Sequence, residues 1–107
     1  MKVKYDTREK LLRMEITEEI DHHTTEKIKG RADFEIQRYI PKKVQLDFKN
    51  VNFMDSSGIG MIIGRYKLVS MLGGSLEIIN ASDKIRKILE MSGILKIIPI
   101  VAETKVS

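Results

Sequence analysis

The chain has no cysteine and only two histidines, which stand side by side as His22-His23. A disulfide framework and thiolate chemistry are therefore excluded. Adjacent residues point apart on a helix, and no cysteine or third histidine supports the pair, so no metal site is expected. No apolar run approaches the roughly 18 residues of a membrane-spanning helix. Met1-Lys2-Val3-Lys4-Tyr5 has neither an apolar leader core nor a small-residue cleavage site. Cytoplasmic residence and no membrane partner are the expectations. Repeats, linkers and low-complexity segments are also missing. The positive excess is small, a formal net charge of +4. Acids interrupt most clusters of lysine and arginine, whereas nucleic-acid binding needs cations gathered on one face. No nucleic-acid partner is expected.

What remains is a chain of 107 residues, 42% hydrophobic and 32% charged. That composition is globular, and the length suits one domain, residues 1–107, with one core. Val3 and Tyr5 alternate with lysines, Asp6-Thr7-Arg8-Glu9 reads as a turn, and Leu12, Met14 and Ile16 alternate again. This predicts an antiparallel hairpin. Asp21 and Thr24 are both candidate caps for a first helix. Its core stripe is read as Thr25, Ile28, Ala32, Ile36, Tyr39 and Ile40, with Phe34 on the outer face and Pro41 as the stop.

Val44, Leu46 and Phe48 predict a third strand. A second helix follows, with Ile59, Ile62, Ile63, Tyr66 and Val69 inward and Gly73-Gly74 at its end. Leu76 to Ile79 is a fourth strand. Ser82 caps a third helix that buries Ile85, Ile88 and Leu89 and stops at Gly93. Ile97-Ile98-Pro99-Ile100 reads as a short edge strand, because proline cannot donate to a ladder. Beyond Val101 the chain is polar and is expected to fray. The order β-β-α-β-α-β-α-β requires parallel strands joined by right-handed crossovers. The fold class is α/β, a mixed sheet with an opening hairpin and helices packed against it.

The chain is organised around Asp55-Ser56-Ser57-Gly58-Ile59-Gly60, where a strand hands over to a helix. Backbone N–H groups there are unpaired and the macrodipole is positive. A serine in that place serves as cap, nucleophile, anion ligand or phosphorylation site. Nucleophilic chemistry needs a positioned base and an elbow of the form GxSxG, which is absent. Gly58, Gly60 and Gly64 form a loose version of a nucleotide-binding turn, the alternative reading. It is weak, since only Glu77 stands where an acid should meet a ribose. Each glycine in the helix start costs roughly 1 kcal/mol against alanine. Close approach of a partner, a ligand or a packed strand would offset that.

Several segments taken together resemble the STAS-domain anti-sigma factor antagonists. They are Phe53-Met54-Asp55-Ser56-Ser57-Gly58-Ile59-Gly60, Gly64-Arg65-Tyr66-Lys67, Gly73-Gly74, Met91-Ser92-Gly93, Lys96-Ile97-Ile98 and Ile20-Asp21-His22-His23-Thr24. The resemblance implies a STAS-type domain that is a binding module and not an enzyme, with no cofactor. It implies that the unphosphorylated form binds an anti-sigma factor that is also a serine kinase, which frees a sporulation sigma factor. The kinase phosphorylates the serine directly after the aspartate, here Ser56, with Ser57 the neighbour easily mistaken for it. A serine phosphatase reverses the step. The implied partner-binding residues are Asp21, Asp55, Ser56, Ser57, Gly58, Ile59 and Gly60, with Asp21 paired to a basic residue of the kinase. Thr17-Glu18-Glu19 departs from the family's usual glycine before this run, and with the stop soon after Ile100 a final family helix is expected to be shortened or missing.

Overall fold

The computed structural model describes residues 1–103. The expected fraying beyond Val101 falls partly on residues 104–107, which lie outside the described residues. A hairpin of β1 (Lys2–Asp6) and β2 (Leu11–Glu15) opens the fold. Then come α1 (Thr25–Tyr39), β3 (Lys43–Asp47), α2 (Ser56–Met71), β4 (Ser75–Ile79), α3 (Asp83–Ser92), a 3-10 turn (Ile94–Lys96) and β5 (Ile100–Val101). The sheet order is β1-β2-β3-β4-β5, antiparallel at the first pair and parallel thereafter. The expected mixed sheet is therefore present.

Register explains the layering. Leu12, Val44 and Leu76 form one cross-strand row, and Met14, Leu46 and Ile78 the next. All six are buried in one core with Ile28 and Ile36 of α1, Ile62 and Val69 of α2, and Ile85 and Leu89 of α3. Side chains alternate between faces along a strand, so the three helices cover the same side of the sheet. The alternate residues of β3, Gln45 and Asp47, are also buried, which the simple alternation does not predict. Gln45 lies in a polar row on the opposite face. It accepts from Arg13 Nη2 at 2.9 Å and donates to Glu77 Oε1 at 2.7 Å. Burial there is satisfied by hydrogen bonds instead of apolar contact.

Four further expectations need correction. Ile40 is not core: it takes the left-handed conformation after α1 and is 56% exposed. The buried face of α2 is Gly58, Met61, Ile62, Arg65 and Val69, while Ile59, Ile63 and Tyr66 are only half-buried. An apolar stripe misses this rotation because a glycine and an arginine sit at its centre. Arg65 is inside because its Nε lies 2.8 Å from Asp33 Oδ1 of α1. Ile88 is half-buried, unlike Ile85 and Leu89. Finally, the last strand starts only at Ile100, since Gly93 at φ 81° leads into the 3-10 turn and Ile98 turns into the core. Phe34, by contrast, is 61% exposed as expected.

Candidate functional site

In an open α/β sheet, loops at the carboxyl ends of the strands hold the functional groups. Here the β2–α1 and β3–α2 connections meet at that end. Ile16 N–H donates to Asp47 O at 3.1 Å, Ile20 N–H to Phe53 O at 3.2 Å, and Asp55 N–H to Ile20 O at 3.0 Å. Ile20 and Met54 form an isolated parallel bridge, and both side chains are buried. This places the Asp21-His22-His23-Thr24 turn beside the start of α2, two segments more than 30 residues apart in sequence.

Asp55 is the N-cap of α2. Its Oδ1 accepts from Ser57 N–H at 2.9 Å and from the Ser57 hydroxyl. The Ser57 hydroxyl is the main reason its carboxyl is held below the usual aspartate range. The amide N–H of Ser57 and of His22 add to this. Asp55 thus ties the two loops together. Ser57, half-buried and bonded to Asp55, belongs to the cap. Ser56 is the first helical residue and is exposed. Its hydroxyl makes no hydrogen bond among the described residues. The two serines, equivalent by spacing, are therefore physically unlike.

Asp21 is half-buried and serves a turn before α1, not the helix itself. Its Oδ1 accepts from His23 N–H at 2.8 Å and Thr24 N–H at 3.0 Å. These bonds, that of His23 foremost, lower its pKa below the ordinary value. Thr24 is the formal N-cap but makes no side-chain cap bond. Its hydroxyl accepts from Asp21 N–H at 3.1 Å and donates to Glu19 O at 2.6 Å. The exposed imidazoles of His22 and His23 lie 3.9 Å apart between centroids. Both carboxylates, the imidazoles and the Ser56 hydroxyl thus share one end of the molecule.

The glycines divide. A Cβ on Gly58 would lie 2.3 Å from Met54 Cγ and 2.9 Å from Ile20 Cγ2, so its bareness serves the loop junction underneath. Gly60 and Gly64 meet nothing within 4 Å. Gly60 is exposed on the Ser56 stripe, four residues on. Gly58 therefore faces inward while Gly60 faces out, so the three glycines do not converge on a phosphate cradle. Ile59 is half-buried beside them. Sequence reasoning missed Phe53, which is 43% exposed on the loop leading to the cap. An apolar residue flanked by Asn52 and Met54 carries no periodic signal that separates it from core.

This geometry defines a small α/β domain with an exposed serine on a capped helix start. The chain belongs to the STAS-domain family, whose model matches residues 2–106. An anti-sigma F factor antagonist of Paenibacillus polymyxa is 40% identical over 84% of this chain and 77% of its own length. An anti-sigma F factor antagonist of Lysinibacillus sphaericus is 30% identical over 71% of this chain and 65% of its own. Among solved structures, the anti-sigma factor antagonist SpoIIAA in its unphosphorylated form superposes with TM-score 0.80. It is 27% identical, over 97% of this chain and 88% of that one. The phosphorylated form of the Bacillus SpoIIAA matches with TM-score 0.71 at 27% identity, over 97% and 91%.

Proposed function

We propose that this domain is a cytoplasmic anti-sigma factor antagonist switched by phosphorylation of Ser56. Unphosphorylated, it binds an anti-sigma factor that is also a serine kinase, and a sporulation sigma factor is released. Phosphorylation ends the binding, and a serine phosphatase restores it. The domain itself is a binding module without catalytic residues or cofactor. One observation carries the choice of residue: the Ser56 hydroxyl is exposed and unbonded while Ser57 is locked to Asp55. The relatives' names support the class of function, and both states of SpoIIAA share this fold.

A phosphate on Ser56 adds about −1.5 to −2 charge. The helix start favours an anion, so α2 need not unwind. The change falls on the surface, where the Asp21 and Asp55 carboxylates already stand. A partner matched to the neutral hydroxyl then meets excess negative charge at close range. Such a mismatch costs on the order of several kcal/mol, and about 1.4 kcal/mol is tenfold in affinity. No rearrangement of the sheet is required.

Incubation with the cognate kinase and ATP, followed by mass spectrometry, tests the residue. Phosphate is expected on Ser56; phosphate confined to Ser57 refutes the assignment. Ser56→Ala should retain partner binding and Ser56→Asp should weaken it. Equal binding by the two variants would remove the switch. Saturable ATP or GTP binding by the domain alone would favour the nucleotide reading instead.

A further inference from the structure

The opposite end of the sheet holds residues that break local rules. Ile40 has φ 45° and ψ 60°. A β-branched side chain is sterically opposed in that region, and a following proline restricts the residue further. Glycine or asparagine is the ordinary choice after a helix. Ile40 also gains little from the core, being 56% exposed. Lys10, at the end of the hairpin turn, is likewise left-handed, at φ 52°. Strain of this kind persists where the surrounding structure over-determines it, and it clusters at functional sites.

These residues form one unit. The carbonyl of Lys10 accepts from Lys42 N–H at 2.9 Å and Lys43 N–H at 3.2 Å, and the Lys42 carbonyl accepts from Ser75 N–H at 3.0 Å. A depression of about 180 Å³ beside them is lined by Glu9, Leu11, Lys42 and Lys43. Leu11 is buried and supplies an apolar wall. Lys43 reaches Glu77 at 3.7 Å. Arg8, Lys10 and Lys42 are exposed and have no ion-pair partner among the described residues. The opposing carboxylates on the hairpin turn are the exposed Glu9 and the buried Asp6, whose Oδ1 accepts from Arg8 N–H at 2.9 Å and Glu9 N–H at 3.2 Å. Cations scattered in sequence are thus gathered by topology beside a mainly charged hollow with one apolar wall, Leu11, and the exposed Ile40 precedes Lys42 by two residues.

We propose that this end is a second docking surface, for an acidic polypeptide segment that carries an apolar side chain. Carboxylates meet Lys10 and Lys42, and the apolar side chain lies against Ile40 and Leu11. Glu9 interrupts the cations, which suits a residue-by-residue match to a peptide and opposes a uniformly anionic nucleic acid or lipid surface. The surface lies at the far end of the strands from Ser56, so binding there does not depend on the serine's modification. A partner tethered here would stay attached through a cycle of phosphorylation.

The test uses the intact protein and a fluorescent peptide of repeating Glu-Glu-Leu, with a Lys-Lys-Leu peptide as control. Saturable one-to-one binding of the acidic peptide is expected, with amide shifts in NMR spectra centred on Lys10, Ile40 and Lys42. Reversing both charges, Lys10→Glu with Lys42→Glu, should weaken it about tenfold or more, as should high salt. Ile40→Gly should raise the unfolding midpoint of the free protein yet weaken the peptide, a combination that a merely structural residue would not give. Ser56→Asp should leave binding unchanged. Undiminished binding by the charge-reversed or Ile40→Gly variant overturns the proposal. So does preference for duplex DNA or anionic vesicles over the peptide, or shifts centred on the serine turn.

Discussion

Two glycines two residues apart at the start of α2, Gly58 and Gly60, should respond to the same substitution with opposite signs. At Gly60 an added methyl meets nothing within 4 Å and the site is exposed. Alanine there gains the full difference in helix propensity, about 0.8–1.0 kcal/mol. At Gly58 the same methyl would lie 2.3 Å from Met54 Cγ, 2.6 Å from Met54 Sδ and 2.9 Å from Ile20 Cγ2. Both neighbours are buried and paired across the loop junction, so neither has solvent to move into. Overpacking of that kind costs about 1–3 kcal/mol. Two simultaneous clashes put Gly58→Ala toward the upper half of that range. After the propensity gain is subtracted, a net loss of roughly 1–2 kcal/mol remains.

Urea denaturation resolves a difference of this size. Thermal midpoints should move by about 4–8 °C per kcal/mol in a domain of this length, upward for Gly60→Ala and downward for Gly58→Ala. Binding to the cognate anti-sigma factor adds a second axis. If a partner approaches the bare stripe closely, Gly60→Ala should bind more weakly while being more stable. Gly58→Ala loses both together, because the junction that presents Ser56 is disturbed. A destabilised Gly60→Ala, or a stabilised Gly58→Ala, refutes the packing argument. A stabilised Gly60→Ala with undiminished affinity refutes the close approach.

Removing the cap should register in acid. Asp55 and Asp21 both titrate below the ordinary aspartate value of 3.8. Their stabilising bonds are therefore complete above that pH and are lost as pH falls through the lowered values. Asp55→Asn should flatten the acid limb of the stability profile, measured by denaturation at stepped pH; an unchanged limb contradicts the assigned bonds. The Asp33–Arg65 pair gives a further contrast. Arg65 is buried and its Nη1 has no hydrogen-bond acceptor among the described residues. Asp33→Ala strands the guanidinium and should cost about 1–3 kcal/mol, whereas Arg65→Met should be near neutral. Calorimetric unfolding distinguishes the two, and equal losses would contradict it.

The order of elements and the hairpin were legible because they depend on local periodicity. So were the glycine stops at Gly73 and Gly93, which have φ of 86° and 81°. What was not legible depends on register between distant segments. Gln45 and Asp47 look like solvent-facing residues until β2 and β4 bring Arg13, Glu77 and Asn80 to them. The face of α2 was misread because Gly58 and Arg65 are inside for reasons supplied by Ile20 and Asp33. Ser56 and Ser57 were indistinguishable by spacing. Exposure and the bonds from Ser57 to Asp55 separate them, and the choice of Ser56 from the sequence rested on family resemblance.

Residues that violate local preference can be sorted by whether the fold itself requires the violation. Gly58 and Gly74 belong to the first kind: a Cβ on Gly74 would lie 2.6 Å from Pro41 O. Internal packing explains them. Gly60 and Ile40 belong to the second kind. One is a helix breaker with open space around it, the other an isoleucine in a conformation suited to glycine, and both face solvent. Neither side-chain choice is required by packing within the domain. A partner resting on each would explain both. The two stand at opposite ends of the sheet, one beside the serine and one beside the lysines. If both violations are functional, two surfaces are under separate constraint. In that case a charge added at Ser56 can release one contact and leave the other engaged.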